Sequence, residues 1–125
     1  MRSRPIPAML ALTACIALAL AGSALAGKAE TKVKIKAESG GFYGYVKSDK
    51  EKCANGRKVV LYKLKGNGYD PKHDKKIGSD IAQANGDRYM WSTGNTGYMK
   101  GYFYAYAKKI KGCAAGFSKA IKAEK

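Results

Sequence analysis

The sequence predicts an all-β fold, a seven-stranded Greek-key β-sandwich closed by one disulfide, on three observations. Beyond an apolar N-terminal stretch the chain breaks into short runs in which apolar and polar residues alternate, as they do along a strand with one buried face. Turn pairs, Asn55-Gly56, Asn67-Gly68 and Asn85-Gly86, separate these runs at the spacing of a sandwich. No later stretch keeps the 3.6-residue period of an amphipathic helix.

The chain opens MRSR and runs apolar from Ala8 to Leu25, ending Ala24-Leu25-Ala26. A positive start, an apolar run and a small-x-small signal predict a secretory signal peptide over residues 1 to 26 and a single β-sandwich domain over 27 to 125. The alternatives are an uncleaved anchor and a lipoprotein signal at Leu12-Thr13-Ala14-Cys15, which the apolar run beyond Cys15 opposes. With the signal removed, the mature chain is expected to be secreted, in the periplasm, at the cell surface or outside, with no transmembrane segment.

In the first predicted strand Val33, Ile35 and Ala37 alternate with Lys32, Lys34 and Lys36. Gly40-Gly41 ends it, and Phe42 to Ser48 forms the second. Val59 to Leu64, rich in β-branched and aromatic residues, is the third; Lys76 to Ala84 is a weaker fourth. Asn85-Gly86 joins this to Arg88 to Ser92, since Asn-Gly between two extended runs signals a hairpin. Tyr102 to Lys108 and Ser118 to Ala123 complete the seven.

Cys53 and Cys113 are the even pair left once Cys15 is cut away, and they fall in connections that share one end of such a sandwich. A bridge between them closes a loop of about 60 residues, for which chain entropy assigns about 4 kcal/mol. A free buried pair is the other reading.

Three stretches, GYVKSDKEKCANGRKVVLYK, KKIGSDIAQANGDRY and GYFYAYAKKIKGCAAGFSKAIK, resemble the small secreted bacterial domains of the carboxypeptidase regulatory-like and transthyretin-like (prealbumin-like) group. The resemblance implies an immunoglobulin-like or transthyretin-like sandwich acting as an accessory or surface module. The hydroxyisourate hydrolases of that group rely on several histidines, an arginine and a terminal Tyr-Arg-Gly-Ser. This chain has one histidine, His73, and ends IKAEK, so that activity is not expected.

No catalytic constellation emerges either. His73 lies in the charged loop GYDPKHDKK, where Asp70, His73 and Asp74 lack zinc or calcium-loop spacing. Asp80 and Asp87 flank the Asn85-Gly86 turn and read as a turn-stabilising pair. No enzyme activity, cofactor or metal is expected.

What remains is charge with aromatics. Without Arg2 and Arg4 the chain keeps 22 basic residues against 9 acidic, about +13. Lys32, Lys34 and Lys36 form one row, Arg57, Lys58, Lys63 and Lys65 surround the third strand, and Lys108, Lys109 and Lys111 follow the tyrosines. Alternation in GYFYAYA places Phe103, Ala105 and Ala107 toward the core, with Val59, Leu61, Phe117, Ile121 and Ala123 on the same side. Tyr102, Tyr104 and Tyr106 then face outward beside Tyr62, as an exposed row. Tyr62, Tyr102, Tyr104 and Tyr106 with Lys63, Lys108, Lys109 and Lys122 are the expected ligand-binding set. The expected partner is an anionic polymer, such as envelope polysaccharide, lipid headgroups or nucleic acid, with the tyrosine face also suited to a protein partner or a second copy. The expected function is a non-enzymatic binding or structural module at the cell envelope. The alternative is a cationic effector acting on membranes or nucleic acid.

Overall fold

A computed structural model describes residues 28–124; the expected signal peptide and Cys15 lie outside the described residues. Ten strands build two five-stranded antiparallel sheets, and a single 3-10 turn, Glu51–Cys53, is the one helical element among the described residues. In the first sheet β1 (Lys32–Val33) and β2 (Lys36–Glu38) both pair with β3 (Gly41–Lys47), followed by β7 (Arg88–Asn95) and β6 (Gln83–Asn85). In the second, β9 (Gly116–Phe117) and β10 (Ile121–Lys122) both pair with β8 (Tyr102–Ala107), followed by β4 (Lys58–Lys63) and β5 (Lys75–Ile81).

Two expected strands are each cut in two, and the expected strand from Ser118 to Ala123 shortens to β10 with a separate β9 before it; each break has a local cause. At Lys34 the edge backbone dips onto the sheet, where the Trp91 indole N–H donates to its carbonyl at 3.1 Å. A side chain at position 44 would collide with that carbonyl, so Gly44 is what lets the edge approach. The expected fourth strand crosses from one sheet to the other at Ala82, which is fully buried and exchanges backbone hydrogen bonds with Gly56 and Arg57. At the third break the Ser118 hydroxyl accepts from the Ala105 N–H at 2.8 Å, replacing a ladder carbonyl. The chain bulges there, and β10 re-pairs three residues later, at Ile121.

That bulge corrects the expected placement of Phe117. Along an unbroken strand Phe117 and Ile121 would share a face. Instead Phe117 lies opposite Tyr106 and points out, while Ile121 lies opposite Phe103 and packs against the core. Phe103, Ala105 and Ala107 face inward as expected, each fully buried with Val59 and Leu61. Val33, Ile35, Phe42, Val46 and Trp91 meet them from the first sheet, and the Phe42 and Phe103 rings touch with centroids 4.6 Å apart.

The Cys53–Cys113 disulfide forms at one end, with 5.5 Å between the Cα atoms. Beside it lies the largest departure from the expected basic surface: Arg57 is 2% exposed and belongs to the interior. Its guanidinium donates to Thr31 Oγ1 (3.0 Å), the Cys53 carbonyl (2.9 Å), the Lys108 carbonyl (2.9 Å) and the Ala114 carbonyl (2.8 Å). Four of its five N–H donors are thereby satisfied, and Nε has no partner among the described residues. Burial lowers its pKa from the ordinary arginine value, and only the nearby Tyr106 phenol, not a carboxylate, opposes the shift.

Replacing Arg57 with Met would strand the buried Cys53 carbonyl and take a donor from the part-buried Lys108 and Ala114 carbonyls, and is expected to cost about 2 to 3 kcal/mol. Lys58→Ala, one residue along and exposed, should shift stability by less than about 0.5 kcal/mol. Urea unfolding of the disulfide-bonded protein measures both; equally small shifts would show that the guanidinium is dispensable.

Candidate functional site

Cross-strand register assembles the tyrosines. Tyr62 pairs with Tyr104 and Tyr106 with Phe117, so all four rings stand on the outer face of the second sheet. Tyr62 stacks on Tyr104 at 5.5 Å between centroids, and Tyr106 on Phe117 at 4.5 Å. The loop from Leu64 to Asp74 then folds over this face. Tyr69 stacks on Tyr104 (4.4 Å) and on Phe117 (5.2 Å), and its hydroxyl donates to the Ser118 carbonyl at 2.8 Å.

The loop is pinned by Asp74. Its carboxylate accepts from the Lys65 N–H (3.1 Å), the Asp70 N–H (2.9 Å) and the Tyr104 hydroxyl (2.6 Å). Burial alone would raise the Asp74 carboxyl, but these bonds more than offset it and hold it below its ordinary value. Burial and the same carboxylate push the Tyr104 phenol well above its ordinary value. The expected exposed row is therefore corrected: Tyr104 points outward from the sheet yet is fully buried under the loop. It offers no surface to a ligand.

The rest of the expected set disperses. Tyr102, 48% exposed, sits at the margin with Lys122 Nζ 5.8 Å from its ring centre. Lys63 leaves the face and lies 5.6 Å over Tyr98, which Lys75 also covers at 5.5 Å. Lys108 and Lys109 are exposed where the chain leaves β8 toward the disulfide. Asp70 pairs with His73 at 2.8 Å while Asp74 turns inward, so the three do not converge on a metal. Among the described residues no cluster of His, Cys, Asp or Glu could hold one. Asp80 accepts from the Ser92 N–H at 2.8 Å and joins β5 to β7, while Asp87 stays exposed at the turn.

Sequence reasoning did not foresee a groove where the edges of the two sheets meet. The edges are stitched at one end by the Ala29–Cys113 bridge and the Thr31 hydroxyl donating to the Ala114 carbonyl (2.7 Å), and at the other by the Gly40 N–H donating to the Glu124 carbonyl (2.8 Å). Between the stitches lies an open groove of about 500 Å³. Lys34, Lys36 and Lys119 line it with Tyr45 and Phe117, over a floor of Val33 and Ile35. It continues past Ile35, Lys36 and Lys119 into a shallower stretch of about 660 Å³ that adds Tyr43 and Lys122. Lysine alternation in the first strand was a signal for one wall; nothing local marks the other.

The chain matches no family model, no curated protein and no solved structure.

A carboxyl held below its ordinary value stabilises the fold above its unfolded value and loses that contribution as pH falls through its folded one. Tyr104→Phe is accordingly expected to cost about 1.5 to 3 kcal/mol at neutral pH. The difference from wild type should shrink below about pH 4 as Asp74 protonates. Denaturant midpoints across pH measure this, and a pH-independent difference would contradict the latch.

Proposed function

We propose that the chain is a secreted, non-enzymatic module that binds anionic polymers at the cell envelope. One observation carries this reading: the excess charge is uncompensated. The formal charge of the whole chain is +15, and the single ion pair among the described residues joins His73 to Asp70. The described lysines thus have no carboxylate partner there, and several rest on tyrosine rings instead. Cations displayed this way release counterions when a polyanion replaces them, which makes binding favourable and salt-dependent.

Supporting features are the disulfide, which suits an oxidising compartment, and the absence among the described residues of any helix long and apolar enough to cross a membrane. The resemblance to accessory sandwich domains of the transthyretin-like group points the same way. Against a membrane-disrupting effector stands the placement of charge on strands and loops rather than on an amphipathic helix.

Binding to immobilised polyanions, titrated with salt, tests the reading. Affinity should fall linearly in a log–log plot against salt concentration, and dye should stay inside phosphatidylglycerol vesicles. No polyanion binding at low salt would refute the proposal; vesicle leakage would establish the effector instead.

A further inference from the structure

We propose that the groove between the β1–β2 edge and the β9–β10 edge is a binding site for an acidic polysaccharide, laid lengthwise along the seam. The inference rests on the polyanion reading above and assigns it a place and a ligand class.

Charge selects the anion. Lys34 and Lys36 project from one wall and Lys119 from the other, all exposed and none in an ion pair among the described residues. Glu30 stands toward one end, and Glu38 with Glu124 toward the other. The uncompensated stretch is therefore the middle of the seam. From residue 32 to 36 an extended chain covers about 13 Å, enough for a short run of sugar rings to meet several lysines at once.

Shape selects a polymer. The groove is shallow, open, and continuous across two stretches that share Ile35, Lys36 and Lys119. A small ligand would be poorly enclosed there, whereas a chain gains by repeating weak contacts along its length.

The aromatic side chains select the sugar. Tyr45 from the first sheet and Phe117 from the second line the same groove, and Phe117 is 43% exposed. The Arg88 guanidinium lies 4.6 Å over Tyr45, and Tyr106 and Tyr69 both stack on Phe117, so each ring is held rigidly and only its exposed part can meet a ligand. A ring fixed in this way presents a rigid apolar platform, which suits the C–H face of a pyranose, while the lysines take its carboxylates or sulfates. The disulfide suits an oxidising compartment outside the cytosol.

The test uses the full disulfide-bonded protein and three probes at matched charge concentration: sodium polygalacturonate, a single-stranded oligothymidylate and phosphatidylglycerol vesicles. Two triple variants remove the same charge, one in the seam (Lys34→Ser, Lys36→Ser, Lys119→Ser) and one elsewhere (Lys52→Ser, Lys72→Ser, Lys76→Ser); circular dichroism confirms folding. The seam triple is expected to lose about tenfold or more in polygalacturonate affinity, and the control triple about threefold or less. Phe117→Ser, with charge unchanged, should remove the part of the affinity that survives high salt. Equal losses in the two triples would overturn the seam while leaving the polyanion reading intact. Failure of wild type to bind any probe at low salt would remove both. Tighter binding of the oligothymidylate or the vesicles, lost in the seam triple, would keep the site and overturn the ligand class.

Discussion

The buried Arg57 guanidinium holds the disulfide end of this protein together. It joins Thr31 at the start of the first sheet's edge, Cys53 before β4, and Lys108 and Ala114 on either side of Cys113. Taking a charge out of water is costly, and here the cost is met by hydrogen bonds to neutral acceptors rather than by a carboxylate. Only a planar fork with several fixed donors can reach that many acceptors at once, so lysine is no substitute. The disulfide limits how far the same segments can separate in the unfolded chain, while the guanidinium orders them in the folded one. Thr31 is shared by both tasks, accepting from Arg57 and donating to Ala114.

That clamp also shapes the surface. Because Thr31 is tied to Ala114, the edge carrying Lys32, Lys34 and Lys36 is drawn beside the strand that carries Phe117. Gly116 permits the approach, since a side chain there would meet the Thr31 carbonyl oxygen at 2.6 Å. The outer face of the second sheet has the opposite fate. Asp74 and Tyr69 bring a loop down on Tyr104 and convert an aromatic row into a small second core. Aromatic content on a strand's outer side is therefore used here partly for stability, and the exposed rings are Phe117 and Tyr102 at the rim and the covering Tyr69.

What could be read from the sequence was what depends on period and on local turn chemistry. Phe103, Ala105 and Ala107 face the core because side chains alternate along any strand, and Cys53 pairs with Cys113 because an even pair in matching connections has one choice. Tyr104 departs from that pattern because its cover comes from a loop about 30 residues away, pinned by an aspartate that in sequence resembles any other loop charge. Phe117 departs from it because the Ser118 hydroxyl substitutes for a ladder carbonyl, and such a break resets the parity that alternation relies on. Arg57 reads as surface in the sequence because arginine is seldom buried, whereas its setting is made by Thr31, Cys53, Lys108 and Ala114, all but Cys53 distant from it in the chain. The seam was invisible for the same reason, its walls lying some 80 residues apart in sequence.

Native-state hydrogen exchange at the stitching amides tests the clamp most directly. If Arg57 and the disulfide hold the two sheet edges as one unit, the Ala29 and Ala114 amides, bonded to the Gly112 and Ala29 carbonyls, should exchange only through global unfolding. Fast exchange of these two amides, with the Phe42, Val46 and Leu61 amides still protected, would show that the edge swings free of β9. The seam would then not be a fixed groove.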